Sequence, residues 1–362
     1  MAFAGPINAP ASLNLLTAVR LRFMQAFDDL TKIPAYSSYL DWIYQDDPTG
    51  DLIYTIYSEP MLPMRQWLDN RHMSSTDFRF WTQAVRTFGD GMELDVDDLK
   101  DDANPAKRMM YLQTAEKYAA AAAMLWPSLV AETMVKGISS IWLPDGQKIF
   151  DVHPISPSSP NGPTFRNYYA NSVQGGSSAC QLNYENLLAA LANGLTFKAP
   201  NGLDYPIHYS ELVVAPGMAK TAERLCKFDR LPVGEIFGQA IGSSNAGGDA
   251  VNAVRALYAP TVRELGNLPS GCWALIDATN PAERPVALKK RQEITWQYVG
   301  PSAGDIAGFP ASDEGAVSEM VFDRNKTKYG PKARGEGFFR NWWRVAFFDG
   351  NSVPVTALSI VS

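Results

Sequence analysis

The densest group of chemically capable side chains is a run of carboxylates: Asp95, Asp97, Asp98, Asp101 and Asp102. Such a run could hold a divalent cation, but a calcium loop needs oxygen ligands at alternate positions and a glycine at the sixth. Leu99 and Lys100 stand where the third ligand and that glycine belong. The run reads instead as the acidic lead-in to a helix, complementing the positive end of its dipole, with weak Ca²⁺ binding as the alternative. Asp145, Asp151 and His153 could form an acid–base group, yet Pro144-Asp145-Gly146 is a turn signal. His72, His153 and His208 lie far apart, and no CxxC or HxxxH pair is available for zinc. There is no GxxxxGK, HExxH or GxSxG pattern, and the nearest approach to a dinucleotide-binding fingerprint, Gly335-Glu336-Gly337, runs on into Phe338 without a third glycine. Cys226 reads as a small core hydrophobe. No catalytic, cofactor-binding or metal-ligating residue is assigned.

Charge is distributed in blocks. Residues 90–102 carry seven acids and one base, and residues 324–344 carry seven bases and one acid, Glu336. These are either two solvated faces or complementary surfaces that set register between neighbouring copies of a self-associating chain. On the second reading, reversing Arg334 and Arg340 impairs assembly.

The elements that must position these groups come from a chain of 362 residues, 46% hydrophobic and 19% charged, which can bury a sizeable core and divide into about two domains. The net charge of −6 disfavours a polyanion binder, whose affinity comes from Lys and Arg on phosphates. Cys180, Cys226 and Cys272 cannot all pair within one chain and suit a reducing compartment. No secretory signal is visible, and the uncharged stretch from Tyr118 to Ala131 falls short of the ~20 residues a bilayer requires.

Ser12 opens a helix to about Thr31, with Leu15, Val19, Phe23 and Phe27 on one stripe. Pro34 to Gly50 reads as an extended arm. Residues 52–57 and 77–89 favour strands and flank a long excursion that either folds over its neighbours or reaches onto another molecule. Asn104-Pro105 starts a long helix that Gly137 ends, bent at Pro127, with a run from Ala119 to Ala123 where something can pack close. A proline-rich stretch follows. Then come a helix near Leu182–Ala192, a strand from Glu211 to Ala215 and a helix from Gly217 to Cys226, which make a small α/β or α+β layer. Gly234–Asp249 reads as a mobile loop. Cys272–Ile276 and Glu293–Val299 are strand-like, and Phe338–Phe348 reads as one closing strand.

Several segments, in order, resemble the major head subunit of Mu-like tailed phages, a family with the Hong Kong 97 (HK97) capsid fold. They are Leu62-Pro63…Gln66-Trp67…Arg71; Phe88 with Val96-Asp97-Asp98…Asp101-Asp102; and Asp145-Gly146-Gln147-Lys148-Ile149-Phe150…His153-Pro154. Further along are Leu212-Val213-Val214-Ala215-Pro216…Ala222-Glu223-Arg224-Leu225 and the ending Phe322…Tyr329-Gly330…Arg334-Gly335…Trp342-Trp343…Ala346. Together they cover most of residues 60–348. One phenylalanine of the family's DGxxFF loop is replaced here by Ile149, with Phe150 keeping the other.

The resemblance implies an α+β, HK97-like capsid fold. It would comprise an N-terminal arm at 1–48, an extended β-hairpin loop at 49–103, a peripheral domain at 104–181 with its spine helix at 105–137, an axial domain at 182–282, and a return to the peripheral domain at 283–362. It implies a structural protein, not an enzyme, forming hexamers and pentamers of an icosahedral head around double-stranded DNA. Portal, scaffold and decoration proteins would be partners, with no cofactor and no membrane, and assembly would take place in the bacterial host cytoplasm. Trp67, Arg71, Phe80, Trp81, Asp97, Asp98, Asp101, Asp102, Arg334 and Arg340 are the expected inter-subunit contacts. Phe23, Tyr54 and Tyr57 are also expected to find cover on neighbours, and deletion of residues 52–88 to prevent shell closure. The rival readings are another phage structural part, such as a tail or baseplate protein, and an α/β hydrolase using Asp145, Asp151 and His153.

Overall fold

The amphipathic stripe at the N-terminus folds as expected. In the computed structural model, which describes residues 11–58, 78–95, 105–139, 143, 146–154, 164–170, 180–197, 204–232, 249–266, 268–299 and 326–350, helix α1 spans Ala11–Thr31. Its Leu15, Val19 and Phe23 are buried. After it come a short helix α2 (Pro34–Ser37), a 3-10 turn (Ser38–Asp41) and strand β1 (Tyr44–Asp46). Strands β2 (Leu52–Ser58) and β3 (Phe78–Ala84) pair as a hairpin, followed by β4 (Arg86–Gly89) and β5 (Met92–Asp95). The long helix is α3, Pro105–Ser139.

The middle of the chain holds β6 (Val152–Pro154), β7 (Thr164–Arg166), β8 (Tyr168–Tyr169), α4 (Tyr184–Leu195) and β9 (Glu211–Val214). It continues through α5 (Ala219–Lys227), β10 (Arg230–Pro232), β11 (Asp249–Val251), α6 (Ala253–Leu257), β12 (Thr261–Glu264) and β13 (Cys272–Ile276). The C-terminal part is β14 (Val286–Val299), β15 (Lys326–Phe339), a 3-10 turn (Trp342–Arg344) and β16 (Val345–Asp349).

Two five-stranded sheets organise these elements. The first runs β1-β14-β15-β4, with β5 also on β15; the second runs β12-β9-β13-β16-β8. Helix α3 supplies Trp126, Leu129, Val130, Met134 and Ile138 to one continuous core that also takes residues from both sheets. A second core lies under α4, α5 and α6 on the second sheet. At ~1.5 Å per residue, 35 residues make α3 about 52 Å long. Among the described residues it is the one helix long and apolar enough to cross a membrane by length and composition, longer than the 118–131 stretch suggests. Its buried face against this chain's own cores is that of a core helix.

Small residues set how closely α3 packs. Ala115, Ala119 and Ala122 form the groove that receives Leu15, Val19 and Phe23 of α1, so the alanine run does admit a close neighbour. Gly137 does not end the helix, which continues to Ser139. A Cβ there would lie 2.7 Å from the Phe150 ring; the glycine is needed for close approach and not for a left-handed cap. On β15, a Cβ at Gly335 would meet Trp126 at 2.5 Å, and one at Gly337 would meet Thr133 Oγ1 at 2.1 Å.

Three expectations change. Residues 34–46 are not an extended arm: Tyr39, Trp42 and Ile43 are buried in the main core, where they outweigh the local preference of a Pro/Ser/Asp-containing segment. Phe23 finds its cover within the chain, 4.5 Å from the Trp296 ring. Phe338–Phe348 is not one strand, because the turn at Trp342–Arg344 carries the chain from the first sheet to the second. There β16 lies between β13 and β8, so the last strand joins the sheet built from residues 211–276 and does not remain with β14 and β15. Residues 233–248, most of the expected mobile loop, lie outside the described residues.

Candidate assembly surface

The β2–β3 hairpin has two unlike faces because side chains alternate along a strand. On one face Ile53 is buried with Ala287 and Phe338, and Thr55 Oγ1 donates to the Phe339 carbonyl at 3.2 Å. Trp81, on β3, packs against the main core. The other face carries Leu52, Tyr54 and Phe80, which are 44%, 57% and 62% exposed. The Tyr54 and Phe80 rings meet edge to face at 6.4 Å, an orientation that aromatic quadrupoles favour. This is a preorganised apolar surface that the described residues leave uncovered.

Polar groups tie the base of the hairpin to the body. Val85, between β3 and β4, donates its N–H to the Asp51 carbonyl at 3.0 Å. Asp51 Oδ1 accepts from Arg334 at 3.1 Å and Arg291 at 3.3 Å. Arg86 forms a bidentate pair with Glu132 of α3, at 3.0 and 2.9 Å. The same guanidinium reaches Glu336 of β15 through Nε and, at 2.7 Å, through an Nη. Lys136 adds a contact to Glu132 at 2.7 Å. Burial works to raise the Glu132 carboxyl, but hydrogen bonds from Arg86 and Lys136 outweigh it and hold the group below the ordinary carboxylate range.

The expected contact residues separate. Trp67, Arg71, Asp97, Asp98, Asp101 and Asp102 lie outside the described residues. Phe80 is exposed on the hairpin, whereas its neighbour Trp81 points to the opposite face and is spent within the chain. Arg334 pairs with Asp51 of its own chain. Arg340 lies over the Tyr44 ring, its Cζ 3.8 Å from the centroid. The backbone of β5 is antiparallel to β15, with Glu93 opposite Lys328 and Asp95 opposite Lys326 in register, so the described ends of the acidic and basic blocks lie on neighbouring strands of one sheet.

The groups considered for catalysis have structural contacts. His153 is buried, its Nε2 is 3.2 Å from the Ile149 carbonyl and its ring is 4.2 Å from that of Trp342. Asp151 Oδ1 accepts from the Val152 N–H at 2.8 Å. Asp145 lies outside the described residues. Among the described residues, no group of three or more His, Cys, Asp or Glu side chains could hold a metal ion. All three cysteines are buried. The residues that sequence reasoning missed are Arg86, Glu132, Lys136 and Asp51. The available signal was Glu336, a single acid inside a basic block.

Residues 49–180 match the model of the Mu-like prophage major head subunit gpT. No curated protein matches the chain. Among solved structures, the procapsid of bacteriophage JBD30 overlaps 96% of this chain and 77% of its own, at 14% identity and a TM-score of 0.37. A virus-like particle from Pyrococcus furiosus overlaps 91% and 96%, at 10% identity and a TM-score of 0.45. Microbacterium phage Oxtober96 overlaps 86% and 90%, at 10% identity and a TM-score of 0.42. These overlaps are loose, and the family match is confined to the part of the chain that holds the hairpin and α3. Over residues 49–180, 132 of its 362 residues, the chain is similar to the major head subunit of Mu-like phages.

Proposed function

We propose that copies of this subunit assemble as hexamers and pentamers into the closed icosahedral head that holds a double-stranded DNA genome, within the bacterial host cytoplasm. The observation that carries this reading is the Leu52–Tyr54–Phe80 face, apolar surface presented on a hairpin and left uncovered by the described residues. At ~25 cal/mol per Å² of apolar burial, a single hairpin contact is weak. Many such contacts around a closed shell act together. The fold supports a structural role: charged groups are spent bracing strands, and the net charge of −6 suits a wall that does not adhere to packaged DNA. Portal, scaffold and decoration proteins are the partners such a head requires.

The test is expression of the full chain followed by size-exclusion chromatography and negative-stain microscopy. Closed shells are the expected product. Tubes or rings would favour a tail or baseplate part, and small oligomers alone would overturn the assembly reading. Deleting residues 52–88 would also remove β4 and Arg86, so the informative variant replaces residues 56–80 with a short turn. It should remain soluble and fail to close shells.

A further inference from the structure

We infer that Arg86, Glu132, Glu336 and Lys136 form a latch that fixes the angle at which the β2–β3 hairpin leaves the subunit, and thereby how one copy meets the next. The second clause rests on the assembly reading above. The other holds on the hairpin are mostly apolar: Ile53 packs with Ala287 and Phe338 and Trp81 on the main core, while Thr55 adds one hydrogen bond and the Leu52 carbonyl accepts from Lys289 at 3.4 Å. Apolar contacts are non-directional and set no angle by themselves. The Asp51 ion pairs are solvent-exposed at the aspartate, where such pairs contribute little.

Arg86 differs in geometry and in burial. Only Val85 separates it from the end of β3, so fixing its guanidinium fixes the strand that precedes it. Its planar fork grips a helix carboxylate and a sheet carboxylate together, and Glu336 is only 2% exposed. Two acids and two bases balance, and removing the arginine leaves Glu336 facing Lys136 alone, at 4.0 Å. Lysine carries the charge without the fork and cannot hold both carboxylates in fixed planes. Arg86 is thus a positioning residue for the hairpin.

The experiment places spin labels at Thr82→Cys on β3 and Ala121→Cys on α3, both exposed, with the native cysteines buried. Interlabel distances are measured in the full chain well below its melting temperature. Arg86→Ala should broaden the distribution at least twofold, Arg86→Lys should broaden it less, and the paired Glu132→Gln and Glu336→Gln change should act like Arg86→Ala while preserving volume. In assembly, Arg86→Ala should yield particles of mixed size, or at least tenfold fewer closed shells. An unchanged distance distribution in the folded variants overturns the latch, as do wild-type yields of uniform shells. Should the wild-type chain form no shells, the assembly reading fails, while the distances still judge the latch.

Discussion

Arg340 lies over the Tyr44 ring, joining the residue just after β15 to the first residue of β1, almost three hundred positions earlier in the chain. A guanidinium over an aromatic face is worth about 0.5–2 kcal/mol depending on desolvation. Arg340→Ala should therefore lower the urea midpoint of the isolated subunit by an amount equivalent to about 1 kcal/mol, with no change in the slope. An arginine acting only between subunits would leave that midpoint where it was and alter assembly alone.

The exposed pair on the hairpin has the opposite signature. Replacing Tyr54 and Phe80 together by serine removes mostly exposed surface and one edge-to-face pair, so subunit stability should fall by no more than about 1.5 kcal/mol. Shell yield should fall by at least tenfold in the same micrographs. Parent-like yield would show that this face is not covered in the particle.

Gly337 tests the packing of α3 on the first sheet. An added methyl at that position meets Thr133 Oγ1 and the Leu129 carbonyl, and overpacking of this kind costs about 1–3 kcal/mol. Gly337→Ala should be destabilised by at least that much. Combining it with Thr133→Ala should recover part of the loss, which a double-mutant cycle in urea would read as a coupling between the two sites.

The three thiols should be silent in the native chain. Burial raises Cys180 to about 11 and Cys226 to about 12, and pushes Cys272 up as well, with Asp349 beside it adding to the rise. Alkylation at pH 8 followed by mass spectrometry should modify none of them within minutes, and all three once the chain is unfolded. Rapid native labelling of any one would place it in a part of the fold that opens locally.

Periodic segments were legible in the sequence and tertiary ones were not. The stripe at Leu15, Val19, Phe23 and Phe27 and the alanine-rich run in α3 carry helical spacing, and each found the other. Residues 34–46 have no such period; their burial comes from Tyr39, Trp42 and Ile43 joining the main core, and from Arg284 donating to the Ile43 carbonyl at 2.9 Å. Phe338 to Phe348 is apolar throughout, and a continuous run does not show where one strand stops and another begins. The charge blocks were visible, but sequence alone cannot distinguish pairing within a chain from pairing between chains. Arg86 stood out least, since nothing local marks an arginine that binds residues 46 and 250 positions away.

Acid should weaken the subunit partly through Glu132. Its carboxyl is held below the ordinary value of 4.5 because hydrogen bonds from Arg86 and Lys136 overcome the opposing effect of burial. A depressed folded-state pKa means that the unfolded chain takes up the proton first. The stabilisation is therefore complete above pH ~4.5 and disappears as the pH falls through the folded-state value. Over that interval each proton changes the slope of stability against pH by about 1.4 kcal/mol per unit. Glu211 has the opposite sign, since burial raises it despite Arg263, so its contribution grows on acidification. Comparing the parent with Glu132→Gln separates the two, because Glu211 is common to both. Urea titrations between pH 3 and 6 should show the Gln variant less stable at pH 6 and converging with the parent towards pH 3. Parallel curves would mean that the Glu132 carboxylate gains nothing from its cations in the folded chain.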